Sequence, residues 1–299
     1  MKIGEIAPEA FDAAIAAEGI VLRTGPFTTR LRSGLPEVGP VVRTLYRDFS
    51  TTADVLVDYH FWVGPAGSWL RRLRRQIVCL LDDEPLLPIA PRSEVVAMLE
   101  WGLNACVYRH AHQYLVVHSG VVERSGSAIL FPGDSGAGKS TLCAFLACRG
   151  WRLLSDELAI IRPSDGCILA LARPVSLKNE SIDIIRKIAP DAIFGPRVRT
   201  AAKGVIAHLR PPARSVARMD DPAQPKAVVF VVYAAGATAE LQPFSKARSF
   251  YFLAHNSLNY EVRSSDGFRE LARLIDQCDC YVLRYSALDD AFAVLEELV

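Results

Sequence analysis

The chain has 299 residues, of which 51% are apolar, and its 34 Lys and Arg nearly cancel 33 Asp and Glu. A chain of this length buries about three quarters of its unfolded surface and holds one large or two moderate domains without covalent staples. The balanced charge argues against nucleic acid or an anionic membrane as the main partner. The odd number of scattered cysteines, such as Cys79, Cys106 and Cys143 in apolar surroundings, excludes a disulfide framework and predicts reduced thiols in a cytoplasmic protein. The first twenty residues carry acids and no secretory core, and the longest apolar run, Ala227 to Ala235, is too short to span a bilayer.

From Ile20 to Arg32, apolar and polar residues alternate around Gly25-Pro26, which predicts a hairpin. Val38 to Phe49 reads as a helix, Val55 to Val63 as a strand ending at Gly64-Pro65, and Gln76 to Leu81 as a further strand. These elements predict a small α+β layer. Arg71-Arg72-Leu73-Arg74-Arg75 is the one strong charge cluster; with no aromatic or basic continuation it reads as a solvated strand or turn edge. Ser93 to Tyr108 predicts an amphipathic helix capped by Ser93, with Val96, Leu99, Leu103 and Val107 on one side. The polar stretch Arg109 to Gln113 marks a transition between domains over 1–112 and 113–299.

Tyr114 to His118 reads as a strand with the histidine at its end. Ala128-Ile129-Leu130-Phe131 then forms a buried strand running into Gly133-Asp134-Ser135-Gly136-Ala137-Gly138-Lys139-Ser140, a full match to the phosphate-loop pattern, followed by Thr141. A helix opens at Lys139, with Leu142, Phe145 and Leu146 on its apolar face. The strand beginning at Arg152 ends in Asp156-Glu157. Beyond it, Leu158 to Arg162 and Cys167 to Leu171 read as strands and Asn179 to Ile188 as a helix opened by Asn179. Phe194 to Pro225, rich in Pro, Arg and Gly, lacks sustained periodicity and reads as a long functional loop. Ala227 to Tyr233 is a buried strand, and helices at Lys246 to Leu253, Asp266 to Gln277 and Leu288 to Leu298 surround a strand at Tyr281 to Tyr285.

The loop carries the chemistry. Its glycines admit positive φ, so consecutive N–H groups turn toward the polyphosphate of a nucleotide, and the helix aims its positive end at the same anion. Lys139 reaches the β and γ phosphates, and Ser140 supplies a hydroxyl to Mg²⁺. Of Asp156 and Glu157, one orders the metal and the other takes a proton; the bland alternative is a turn with solvated acids. A lone histidine such as His118 is more often structural than catalytic. His110 and His112 fit a polar turn better than a metal trio, and Cys278-Asp279-Cys280 is too short a pattern for zinc.

The run from His118 to Ile161, with H-S-G, G-D-S-G-A-G-K-S and R-G-W-R-L-L-S-D-E, resembles the catalytic domain of HPr kinase/phosphorylase, matching at His118, Gly133 to Ser140, Arg149-Gly150, Leu153 and Asp156. The resemblance implies an α/β fold in which a phosphate-loop, HPr kinase-like catalytic domain follows a small α+β amino-terminal domain, with ATP and Mg²⁺ as cofactors. It makes His118 a site residue and sets Asp156 and Glu157 on the family's acidic pair, with Glu157 in place of an aspartate. Glu180, within R-P-V-S-L-K-N-E-S-I, stands for a metal-binding glutamate, and Arg210, within H-L-R-P, for an arginine that stabilises the transferring phosphoryl group, helped by Lys203-Gly204. The family's E-x-R-G-L-G-I signature has no literal counterpart, so phosphorolysis is not expected.

The whole chain, including E-W-G-L-N at Glu100 to Asn104 and K-G-V-I-A-H-L, is similar to the branch called HprK-related kinase A. That branch is usually found beside PqqD-like peptide chaperones and nucleotidyltransferase-like proteins. The likeness implies an accessory role in peptide modification, a peptide or protein substrate and, since the resembling kinases are oligomers, a homo-oligomer. The leading expectation is a kinase acting on a hydroxyl. A nucleotide-dependent switch and a small-molecule hydroxyl kinase stay open as alternatives.

Overall fold

Helix α1 (Pro8–Ala16) opens the chain, with Pro8 at its first position where no donor is lost. Strands β1 (Ile20–Thr24) and β2 (Phe27–Ser33) then pair antiparallel, closing at Thr24↔Phe27 across Gly25, which takes a φ of 59°. This is the hairpin that the alternation predicts. The computed structural model describes residues 1–52, 55–134 and 136–299. They form two compact units, one of Met1–His110 with Ser176–Ala217 and one of Ala111–Val175 with Arg218–Val299. The chain passes from one unit to the other at Ala111, back at Ser176 and over again at Arg218.

The first unit continues with α2 (Val38–Leu45), β3 (Tyr59–Pro65), α3 (Trp69–Leu73), β4 (Gln76–Leu81), β5 (Glu84–Pro85), β6 (Ala90–Pro91) and α4 (Val95–His110). One sheet runs β1-β2-β3-β4-β5, with β6 on β4. Helix α2 ends short of Phe49, and β3 starts later than expected and runs through Gly64-Pro65. The arginine cluster is no strand edge. It lies in and after α3, which stops at Leu73, with Arg74 and Arg75 in the turn that follows, where φ at Arg75 is +52°. Nor does Ser93 cap α4, because a 3-10 turn over Arg92–Glu94 leads directly into it. Helix α4 is buried nearly all round rather than on one side, as a helix inside a unit must be. Its Glu100 carboxylate accepts the buried Tyr46 hydroxyl at 2.8 Å.

The second unit starts with β7 (Leu115–Arg124), β8 (Ser127–Pro132), α5 (Lys139–Cys148), β9 (Arg152–Ser155), β10 (Leu158–Ile161) and β11 (Ile168–Leu169). Strand β7 does not end at His118. It carries on through Gly120 to Arg124, ten residues in all, because β10 pairs with its first half and β8 with its second.

The chain then adds β12 (Val175–Lys178), α6 (Glu180–Ile188), β13 (Val198–Thr200), β14 (Gly204–Leu209) and α7 (Ala213–Ala217). The expected long loop is thus folded: β13, β14 and α7 fall within it, and β12 from upstream completes a three-stranded sheet ordered β12-β14-β13 whose strands are too short to show a period. Two contacts tie this segment into the first unit: Glu94 accepts the Ala201 N–H at 3.2 Å, and Lys203 lies 4.8 Å from the centre of the Trp101 ring. Asn179 precedes α6 without a side-chain cap bond; its Oδ1 accepts the Val205 N–H instead.

The rest of the second unit is β15 (Gln224–Tyr233), β16 (Glu240–Pro243), α8 (Lys246–His255), α9 (Tyr260–Gln277), β17 (Asp279–Tyr285) and α10 (Leu288–Glu296). Its sheet runs β11-β10-β7-β8-β15-β17-β16, with β9 on β7, and β8, β15 and β17 are mutually parallel. Apolar side chains of α9 (Leu271, Leu274, Ile275) pack with Val117 and Val121 on one face. Helix α5 takes the other face, where Phe145 meets Phe292 of α10 edge to face. Glu123 and Arg152 pair across β7 and β9 at 1% and 4% exposure. Theirs is a close charge contact rather than an aligned hydrogen bond at Nε; Arg152 also donates to the carbonyls of Arg218 and Asp221, both at 3.0 Å. Among the described residues no helix is long and apolar enough to cross a membrane.

Candidate functional site

Strand β8 delivers the glycine loop at the carboxyl end of the parallel strands. Gly133, Gly136 and Gly138 take φ of 131°, 99° and 93°, a region that L side chains avoid. A Cβ on Gly133 or Gly136 would meet nothing within 4 Å among the described residues, so the turn of the backbone, not crowding, demands glycine there. Ser135 lies outside the described residues. Gly138 stands just before α5, and its carbonyl accepts the Leu142 N–H at 3.0 Å. Lys139, only 5% exposed, donates its ammonium to the Asp134 carbonyl at 2.7 Å and to that of Gly133. Ser140 and Thr141 follow in the first turn, half-buried.

Opposite the loop, β7 brings the other groups in. Ser119 pairs with Pro132, the residue before Gly133, and the Ser119 N–H donates to the Glu157 carbonyl at 3.0 Å. The Asp156-Glu157 turn between β9 and β10 is also held by Ser155, whose Oγ accepts the Leu158 N–H at 3.0 Å. Asp156 is 5% exposed and Glu157 half-buried. Gly120 faces α5, and a Cβ there would come within 3.5 Å of the Asp156 carbonyl. Two residues earlier on β7, His118 shares that face; it pairs with Leu158, and its N–H donates to the Asn256 carbonyl at 2.7 Å.

Cys143, one turn into α5, reports on the charges. Burial pushes its thiol pKa well above the ordinary value; the carboxylate of Asp156 adds to the rise and the ammonium of Lys139 opposes it. One buried sulfur therefore feels both the acid and the base that the sequence singles out. Tyr285, at the end of β17, lies beneath the loop, with its hydroxyl 3.3 Å from where a Gly138 Cβ would stand. Burial raises its pKa to about 12.

The structure thus gathers His118, Gly133, Asp134, Gly136, Ala137, Gly138, Lys139, Ser140, Thr141, Asp156 and Glu157 in the second unit. Glu180 and Arg210 belong to the first unit. Glu180 is the exposed first residue of α6, Arg210 follows β14 with its N–H on the Ile193 carbonyl, and Lys203 is engaged with Trp101. Sequence reasoning did not place Cys143 or Tyr285 at the site and held Gly120 only as the last residue of H-S-G; the apolar register of α5 and the strand end at Tyr285 were the signals for the other two.

Chemically, the site offers an anion the glycine backbone, the amino end of α5 and the Lys139 charge. Among the described residues no group of three or more His, Cys, Asp or Glu could hold a metal ion. A hard cation beside Ser140 and Asp156 would need further oxygens from a bound phosphate, as Mg²⁺ commonly does.

In comparisons with known proteins, the family model of the SynChlorMet cassette protein ScmC matches residues 79–175, about a third of the chain. Two HPr kinase/phosphorylases of Clostridium botulinum, from strains Eklund 17B and Alaska E43, are each 38% identical over 61 residues. That stretch is 20% of this chain and 20% of each relative, so the chain spans about a fifth of the length of the curated relatives it matches. The likeness to HPr kinase is therefore distant and partial.

Proposed function

We propose that this protein is an ATP- and Mg²⁺-dependent phosphotransferase that moves the γ-phosphoryl group to a hydroxyl, a serine of a peptide or protein acceptor, and that its second unit is a phosphate-loop, HPr kinase-like catalytic domain. The observation that carries the reading is the left-handed glycine loop wrapped about the buried Lys139 ammonium, with Gly120 lying between Cys143 of the following helix and the Asp156 carbonyl. The partial likeness to two HPr kinases supports the phosphotransferase class.

Bound ATP and Mg²⁺ supply the phosphoryl donor and neutralise its charge. The loop amides and α5 cradle the polyphosphate, and Lys139 exchanges its carbonyl partners for phosphate oxygens. Ser140 and Asp156 would hold the cation, its remaining oxygens coming from the bound phosphates. Asp156 or Glu157 takes the proton of the acceptor hydroxyl as its oxygen bonds to the γ-phosphorus and the bond to the ADP oxygen breaks. His118 borders the acceptor. The acceptor is presented with a PqqD-like peptide chaperone to a homo-oligomer in the cytoplasm, without nucleic acid or membrane. The description of ScmC as a cassette protein is in keeping with such an accessory role.

Incubation with γ-labelled ATP, with and without candidate peptides, tests the reading. Label on a peptide is the expected result. Label on a small molecule points to a metabolite kinase, and label released only as free phosphate points to a nucleotide-dependent switch; either overturns the peptide assignment.

A further inference from the structure

The three parallel strands β8, β15 and β17 are neighbours, and in such sheets ligands gather at the carboxyl ends of the strands. Strand β8 ends in the glycine loop. Strands β15 and β17 end together one strand and two strands away, with Tyr233 and Tyr285 in direct register. The two tyrosines differ sharply in burial. Tyr285 is 2% exposed with its hydroxyl under Gly138, whereas Tyr233 is 61% exposed. Their rings meet edge to face, with centroids 6.0 Å apart and planes at 81°.

A continuous line thus runs from the last glycine of the loop, through a buried ring, to an open ring at the rim. Tyr233 is the last residue of a strand, not part of a mobile loop. The backbone just beyond it is pinned, since the Ala234 N–H donates to the Tyr285 carbonyl at 2.9 Å and the Ser286 hydroxyl to the Ala237 carbonyl at 2.8 Å. A rigidly presented aromatic face beside a polyphosphate cradle suits the flat, aromatic end of a nucleotide.

We propose that the exposed ring of Tyr233 is the platform on which the nucleobase of the bound nucleotide stacks, and that Tyr285 is the positioning residue that keeps this platform in register with the loop. The proposal rests on the nucleotide reading above and adds to it the part of the ligand that the loop itself does not touch.

The test compares Mg²⁺-ATP with Mg²⁺-tripolyphosphate, which has the phosphates but no base, by calorimetry on the full chain and its Tyr233→Ala and Tyr233→Phe variants. The expected result is an affinity for ATP that falls about tenfold or more in Tyr233→Ala, is kept in Tyr233→Phe, and an affinity for tripolyphosphate unchanged in both. Thermal unfolding of Tyr233→Ala should match the wild type, since the side chain is exposed. Equal ATP affinity in Tyr233→Ala and wild type, or equal loss for both ligands, overturns the platform and leaves the nucleotide reading standing. A wild type that binds neither ligand overturns both.

Discussion

Gly120 of β7 rests its α-carbon against Cys143 of α5, so closely that a Cβ at Gly120 would lie 2.5 Å from the sulfur. That approach sets the helix that begins at Lys139 against the strand beside Asp156. Gly120→Ala should therefore cost about 1–3 kcal/mol through overpacking. Adding Cys143→Ala should recover part of the loss, giving a coupling between the two sites in a urea-unfolding double-mutant cycle. Strictly additive losses would mean that the contact does not set the spacing.

Lys139→Ala removes the ammonium from the loop while leaving α5 with a strong helix former. Phosphate transfer should fall at least about 100-fold, in line with the loss of one electrostatic donor at a reaction centre. Far-ultraviolet circular dichroism should be unchanged. Retained transfer with an intact fold would count heavily against the kinase reading.

The Glu123–Arg152 pair offers a stability test away from the site. Both side chains are buried, and burial already draws the Arg152 pKa down against the opposing pull of Glu123. Glu123→Ala leaves a guanidinium buried without its main counter-charge and should destabilise the protein by about 3–5 kcal/mol in urea titrations. Replacing both residues with apolar ones of similar size should cost far less than this single change.

The cysteines predict a thiol count and a pH response. Of the seven, Cys148 is exposed and the other six are buried. One thiol per chain should react quickly with maleimide at pH 8, and all seven after unfolding. Burial pushes Cys79 and Cys278 up to about 12, from a usual value of 9.0. Below pH 9 the folded and unfolded chains hold these protons equally. As pH rises through 9 toward 12 the unfolded chain releases them first, so stability should fall across that window, read as a dropping urea midpoint.

Much of the fold is local enough to be written in short stretches. The Gly25-Pro26 hairpin, β4, the buried strand into the glycine loop and the Asp156-Glu157 turn each rest on alternation, on an apolar run or on glycine, lysine and acid spacing within a few residues. Helix α4 shows where that reasoning loses force. Burial on all sides erases the one-sided stripe that a periodicity argument needs, and the expected Ser93 cap was displaced by a 3-10 turn.

By itself the sequence determined the order of the main elements and the residue types gathered around Gly133 to Ser140, because backbone conformation at glycine and the pairing of neighbouring strands are decided by nearby residues. Only the tertiary structure decided that 176–217 returns to the first unit, that β7 continues past His118, and that Tyr233 and Tyr285 end side by side, Tyr285 buried under the loop and Tyr233 open. Each of these depends on contacts between segments far apart in the chain. Such contacts follow from which surfaces bury one another, and that leaves no period in any one segment.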